Sequence, residues 1–199
     1  MHPAATTTSP SWRCTASAER MAELVVVTGP PGAGKSTVAA ALAEGLEPSA
    51  LVTGDSFFGF LVRGAIAPWL PEADEQNRVV VAAAAAATGR LVAGGFHAVY
   101  DGVLGPWMVE AFVDRLGAAV PHLHYVVLLP PLETCLGRVA ARTGHGFTDA
   151  DATRHMHREF AEADVDDRHL LTDVTSDVAA LVDRIAGRMT DGSLLLRGA

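Results

Sequence analysis

Apolar residues fall along this chain in two alternating patterns. Leu24–Thr28, Ser49–Thr53, Phe96–Tyr100, His122–Leu129 and Arg168–Val174 are short runs rich in aliphatic and β-branched residues. Their length and near-continuous apolarity predict buried parallel strands. Between them, apolar positions recur at helical spacing. Val38, Leu42 and Leu46 predict a helix with Gly45 near its end. Asp55 opens a second, carrying Phe57, Phe58, Phe60 and Leu61 and broken at Pro68-Trp69-Leu70-Pro71. Asp74 is placed to cap a long helix through Glu75, Val79 and Ala82–Ala87, closed by Gly89. Further helices are predicted from Pro106 to Leu116, from Leu132 to Arg142, from a Thr148 cap to Ala163, and from a Ser176 cap through Val178, Leu181, Val182 and Ile185. Strands separated by helices imply an α/β fold with a five-stranded parallel sheet covered on both faces.

The ends read differently. Residues 1–22 are dominated by Ala, Thr, Ser and Pro without periodicity, which predicts a flexible tail. Met21 directly precedes the first structured run and is a second candidate start. Residues 23–190 form the expected domain, and 191–199 a C-terminal tail. At 199 residues the chain suits one domain, and 49% hydrophobic against 19% charged residues allows a core. The net charge of -8 argues against general binding to nucleic acid or anionic membranes. No apolar run reaches the ~20 residues of a membrane span, and no secretory signal is evident. Cys14 and Cys135 match no zinc spacing and fit a reducing cytoplasm; Cys135 reads as a small buried hydrophobe.

Candidate chemistry begins after the first strand. Gly29-Pro30-Pro31-Gly32-Ala33-Gly34-Lys35-Ser36-Thr37 matches G-x-x-x-x-G-K-[ST] in full, between an apolar strand and an amphipathic helix. Glycines let the backbone approach phosphates closely, and successive N–H groups at a helix N-terminus form an anion nest. Lys35 is placed to reach the β- and γ-phosphates, and the Ser36 hydroxyl to hold Mg²⁺. Fourteen of the 15 basic residues are arginines; the single lysine stands where the motif needs an ammonium. With no other lysine, the chain cannot carry an N-K-x-D guanine-reading motif, so ATP is the expected nucleotide. Val99-Tyr100-Asp101-Gly102 lacks the glutamate that follows the strand-end acid in motor ATPases.

Ligands of parallel sheets meet the carboxyl ends of the strands. Asp55, in Gly54-Asp55-Ser56, and Asp101 both fall there. Phosphoryl transfer to a hydroxyl needs one carboxylate to take the proton and another to orient Mg²⁺. Asp55 is the candidate base and Asp101 the candidate metal partner, with the exchanged assignment open and an N-cap role for Asp55 as the alternative.

These blocks, G-P-P-G-A-G-K-S-T, G-D-S-F-F, Y-D-G-V-L-G and the arginines after the fourth strand, resemble the P-loop small-molecule kinases. The chloramphenicol phosphotransferase-like group is nearest, with similarity to tunicamycin-resistance ATP-binding proteins and, more distantly, to shikimate and gluconate kinases. The resemblance implies a three-layer, nucleoside-kinase-like P-loop NTPase fold. It also implies ATP and Mg²⁺ as cofactors, an acceptor region at about 55–93, a lid at about 132–163, and Asp55 as base toward the acceptor hydroxyl. The implied activity is ATP-dependent phosphorylation of a hydroxyl on a small molecule, an antibiotic among the possibilities, by a cytoplasmic monomer or homodimer. A nucleoside or nucleotide kinase, a drug-sequestering ATP-binding protein and a regulatory ATP switch are the alternatives.

For the acceptor, Gln76 and Asn77, the only glutamine and asparagine in the chain, stand beside Arg78. Amides read hydroxyls and carbonyls through paired donors and acceptors. Phe57, Phe58, Trp69 and Trp107 are candidates for an aromatic acceptor pocket, and Arg63 and Arg78 for an anionic group on the acceptor. Arg138 and Arg142, at i and i+4, precede Gly144-His145-Gly146; related kinases close an arginine-bearing lid here over the transferring phosphoryl group. His122 and His124 share a strand face, while His155 and His157 sit two apart on a helix; with no third ligand evident, zinc is not expected.

Overall fold

The computed structural model describes residues 22–196 apart from 118, 119, 121, 142–147, 175 and 176. Five parallel strands are present: β1 Leu24–Thr28, β2 Ser49–Thr53, β3 His97–Asp101, β4 Leu123–Leu128 and β5 Leu170–Leu171. Their spatial order is β2-β3-β1-β4-β5. The helices are α1 Lys35–Gly45, α2 Gly54–Phe58, α3 Asp74–Ala93, α4 Pro106–Leu116, α5 Leu132–Ala140, α6 Ala150–Glu162 and α7 Val178–Thr190.

Alternation along β1 divides the core in two. Leu24 and Val26 face a cluster with Val81, Ala84 and Ala85 of α3 and Met108, Phe112 and Leu116 of α4. Val25 and Val27 face the opposite cluster, with Val38, Ala39 and Leu42 of α1 and Leu181, Val182 and Ile185 of α7. A strand buried on both faces has no polar side to show, which is why β1 reads as a continuous apolar run. The outcome is the expected three-layer α/β fold.

Element ends differ from expectation for identifiable reasons. The helix expected to close at Gly89 continues to Ala93. Gly89 serves packing instead: a Cβ there would overlap the backbone of Leu116, so glycine lets α3 lie close against α4. Asp74 does not cap α3; the cap position is Ala73, after a 3₁₀ turn at Pro71–Ala73. The α2 helix stops at Phe58, leaving Phe60 outside it and 71% exposed. Asp149, not Thr148, caps α6, its carboxylate accepting from the N–H groups of Asp151 and Ala152 at 2.9 Å each. Asp177 caps α7, accepting from the Ala180 N–H at 3.0 Å; Ser176 lies outside the described residues. The fifth strand is two residues long because a 3₁₀ turn, Asp167–His169, takes the start of the predicted run.

The expected C-terminal tail at 191–199 is corrected over its described part. Leu194 is fully buried in the α1/α7 cluster. Its carbonyl accepts from the Tyr125 N–H at 2.9 Å, and the Leu196 N–H donates to the Leu123 carbonyl at 2.9 Å. This segment therefore pairs with β4, with Leu195 bridging antiparallel to His124. The residues of the expected N-terminal tail, up to Met21, lie outside the described residues.

Two outcomes follow from this packing. Leu194→Ala should lower unfolding free energy by about 2–5 kcal/mol in urea denaturation, because it opens a cavity under the α1/α7 layer. His169 is buried with Nδ1 2.9 Å from the Tyr125 carbonyl oxygen, and burial holds its pKa below the ordinary histidine value. The folded chain thus binds this proton less tightly than the unfolded chain. Its contribution is present above the unfolded value of about 6.5 and is lost as pH falls through the lower folded value. Unfolding free energy should drop as pH falls below about 6.5, and His169→Gln should flatten that limb relative to the parent.

Candidate active site

The register of the sheet brings the candidate groups to one edge. Asp101 is level with Thr53 of β2 and Val27 of β1, so the carboxyl ends of three adjacent strands coincide. The loop Gly29–Gly34 leaves β1, and Asp55 follows β2, at that same edge.

Loop 29–34 takes a path that side chains would block. Gly29 has φ 140°, and a Cβ there would overlap the Leu128 carbonyl oxygen. Gly32 has φ 80°, and a Cβ there would overlap the backbone of Cys135. Backbone therefore presses on β4 at one point and on α5 at another, which only glycine permits. Gly34 stands at the N-cap of α1 with no side-chain cap, so no side chain competes for the N–H groups of the first turn. Lys35 Nζ donates to the Pro30 carbonyl at 3.1 Å, across the mouth of the loop. This geometry is that of an anion nest.

Beside the loop opens a cleft of about 300 Å³. Pro31, Lys35 and Ser36 line it on the loop side, and Gly54, Asp55, Tyr100 and Asp101 at the strand ends. Its remaining wall includes Phe58, Trp69, Asn77, Val81, Trp107 and Met156. Lys35, Ser36, Asp55, Phe58, Asn77 and Asp101 are thus brought together, and Trp69 and Trp107 join them. Asp55 is exposed, whereas Asp101 is buried. The N-cap alternative for Asp55 is not met: α2 starts at Gly54, its cap position is Thr53, and no side chain caps it.

Other expected residues lie elsewhere. The amide of Gln76 is spent on a backbone, accepting from the Ile66 N–H at 2.7 Å and donating to the Ile66 carbonyl at 2.8 Å. It ties the segment before Pro71 to α3 and does not line the cleft. Arg78 pairs with Asp74 at 3.0 Å on the exposed surface, its i−4 neighbour on α3. Phe57 turns to the core, edge-on to Phe60 with centroids 5.5 Å apart. Arg138 donates to the carbonyls of Gly32 at 3.4 Å, Ala33 at 3.2 Å and Val174 at 3.3 Å, so its guanidinium braces the loop from behind. Arg142 and the Gly144–Gly146 hinge lie outside the described residues.

Asn77 divides its amide. Nδ2 donates to the Pro68 carbonyl at 2.7 Å, while Oδ1 is buried without a hydrogen-bond partner. An orphaned acceptor of this kind costs about 1–3 kcal/mol.

Tyr100 lines the cleft and was missed by sequence reasoning. Its ring packs edge-on to Phe112, centroids 4.8 Å apart, inside the core. A Cβ on Gly54 would lie 2.5 Å from its hydroxyl, so Gly54 makes room for it. Burial, then the charges of Asp55 and Asp101, push its pKa well above the ordinary phenol value. It remains a protonated donor beside both carboxylates. Its place next to Asp101 on a strand whose alternate residues face the α3/α4 layer was the available signal. Met156 was also missed; it lies four residues from Ala152 and from Phe160, both buried on α6.

Among the described residues, no group of three or more His, Cys, Asp or Glu side chains could hold a metal ion. A phosphate-bound Mg²⁺ needs fewer protein ligands, since it keeps waters and takes phosphate oxygens. The hydroxyl of Ser36 and the carboxylate of Asp101 line one cleft and fit that donor set.

The residues from 24 to 165 match the profile of the AAA domain family, and the chain belongs to it. A search of curated proteins finds no match. Among solved structures the chain is similar to a sugar kinase from Janibacter sp., with TM-score 0.64, 22% identity and coverage of 85% of this chain and 95% of that one. It is similar to the tunicamycin resistance protein of Deinococcus radiodurans, with TM-score 0.62, 16% identity and coverage of 84% and 95%. It also resembles a gluconokinase from Sinorhizobium meliloti, with TM-score 0.56, 22% identity and coverage of 88% and 99%. The fold is that of P-loop kinases, and the family implies nucleotide binding.

Lys35→Ala should weaken nucleoside triphosphate binding by about 10- to 100-fold, the loss of a charged hydrogen bond worth about 1.5–3 kcal/mol. Calorimetric titration reads the affinity, and an unchanged melting temperature shows that the half-buried side chain does not hold the fold.

Proposed function

We propose that the protein is an ATP-dependent phosphotransferase that moves the γ-phosphoryl group to a hydroxyl of a small molecule. One observation carries this reading: the anion nest and the carboxylate of Asp55 line the same cleft, which extends beyond them far enough to admit an organic acceptor. A nucleotide phosphate chain and a hydroxyl can thereby meet in one space.

In this reading, the first-turn N–H groups of α1 and Lys35 hold the phosphates and draw off negative charge. Mg²⁺, when bound, supplies further charge neutralisation, and Ser36 and Asp101 would hold it. Asp55 takes the acceptor proton, and its exposure to the cleft suits it to that role. The Tyr100 hydroxyl donates toward the carboxylates and keeps them oriented. Arg138 positions the loop through its carbonyls. The segment after α5, with Arg142, closes over the phosphoryl group as the lid. The acceptor region spans about 55–93. The protein works in the cytoplasm, as a monomer or homodimer, on a small molecule.

The similarity to a tunicamycin resistance protein favours a second reading, in which the chain binds a drug without turnover. Acceptor-dependent ADP release separates the two, and a mass gain of about 80 Da identifies the product as one phosphoryl group heavier.

Asp55→Asn should lower turnover by about 10²- to 10⁴-fold while ATP affinity and melting temperature hold, because the side chain caps nothing. Steady-state kinetics across a Mg²⁺ titration checks the assignment. Recovery at high Mg²⁺ would make Asp55 the metal partner and pass the role of base to Asp101.

A further inference from the structure

The chemistry of the cleft wall narrows the acceptor. Among the described residues, Lys35 is the only cationic side chain lining the cleft, and it belongs to the phosphate loop. Asp55, Asp74 and Asp101 line it too, Asp74 with its carboxylate paired to Arg78. Arg78 itself is not among the lining residues, and Arg138 is committed to backbone carbonyls. Among the described residues, an anionic group on the acceptor would therefore meet the carboxylates of Asp55 and Asp101 and no guanidinium on the wall. The wall beyond Asp55 is built from Phe58, Pro68, Trp69, Val81, Trp107 and Met156. Trp69 and Trp107 are large apolar rings on this wall that remain 38% and 45% exposed, so both offer apolar surface to a ligand in the cleft. The neutral polar group on this wall is Asn77, whose Oδ1 is an orphaned acceptor and so suits an O–H or N–H and repels a carboxylate.

We propose that the acceptor is a largely apolar, non-anionic alcohol, held against Trp69 and Trp107 and selected against carboxylate- and phosphate-bearing alcohols by a wall whose described residues include Asp55 and Asp101 and no arginine. This rests on the phosphotransferase reading. It sets the chain apart from gluconate-type substrates, whose carboxylate needs a cation beyond Lys35 that the described residues of this wall do not supply.

The test uses the full chain and three biphenylmethanols that differ only at the far para position: hydrogen, carboxylate or aminomethyl. Binding is measured by calorimetry with a non-hydrolysable ATP analogue and Mg²⁺ present, and ADP release is measured separately with ATP. The neutral and amino compounds should bind at least about tenfold more tightly than the carboxylate, a difference of about 1.4 kcal/mol. Equal or tighter binding of the carboxylate overturns the proposal, as does failure of all three to bind. Met156→Arg, at a half-buried helical position, should narrow the gap severalfold by supplying the missing cation; no change in the ratio counts against the charge argument. The two readings fail separately. The expected order of binding without any ADP release sinks turnover and leaves the ligand class standing. ADP release with gluconate and with none of the three probes sinks the ligand class and leaves the phosphotransferase standing.

Discussion

Everything at the site depends on backbone touching backbone at two glycines. Gly29 lies against the Leu128 carbonyl and Gly32 against the Cys135 main chain, so the loop is seated on β4 and on α5. Seated this way, it delivers the uncapped first turn of α1 to the edge where three strands end level. Arg138 reinforces the seat by donating to the Gly32 and Ala33 carbonyls, so its guanidinium is spent on the loop's acceptors. The positive end of the site is therefore made chiefly of main chain and one ammonium. That economy suits a chain with a net charge of -8.

The negative end is organised around a phenol. Tyr100 is anchored in the core by Phe112, and its hydroxyl reaches the side where Asp55 and Asp101 stand. The second connection at this edge is equally firm. Thr28, at the end of β1, accepts from the Leu104 N–H at 2.8 Å, and the Tyr125 hydroxyl donates to the Leu104 carbonyl at 2.7 Å. The turn after Asp101 is thus pinned to two neighbouring strands, so the buried carboxylate has little freedom. Asp55, on a five-residue helix, is exposed instead. A buried carboxylate suits charge placement and an accessible one suits proton transfer, which accords with the roles proposed for them.

Strand centres and the phosphate loop were legible in the sequence because each has a local cause. A doubly buried strand must be apolar throughout, and a loop that threads between two backbones must be glycine where they meet. Helix ends were less legible because competing caps stood next to each other, Thr148 beside Asp149, and Gly89 was a packing contact that resembles a stop. The acceptor wall was read in part. Asn77, Phe58, Trp69 and Trp107 line it, but Gln76, equally rare in composition, is consumed by Ile66. Nothing in the local pattern tells an amide that serves a ligand from one that serves a neighbouring backbone. Leu194 was hidden for a related reason: its burial comes from pairing with β4, distant in sequence.

The pair Gln76 and Asn77 has one more implication. From adjacent positions on α3 they grip Ile66 and Pro68, so the stretch that carries Trp69 is stitched to the helix at two points ten and nine residues back along the chain. Trp69 thus reaches the cleft wall from a segment anchored on α3, whereas the phosphate loop is anchored on β4 and α5. The ligand wall and the phosphate cradle rest on separate mechanical footings that meet only across the cleft.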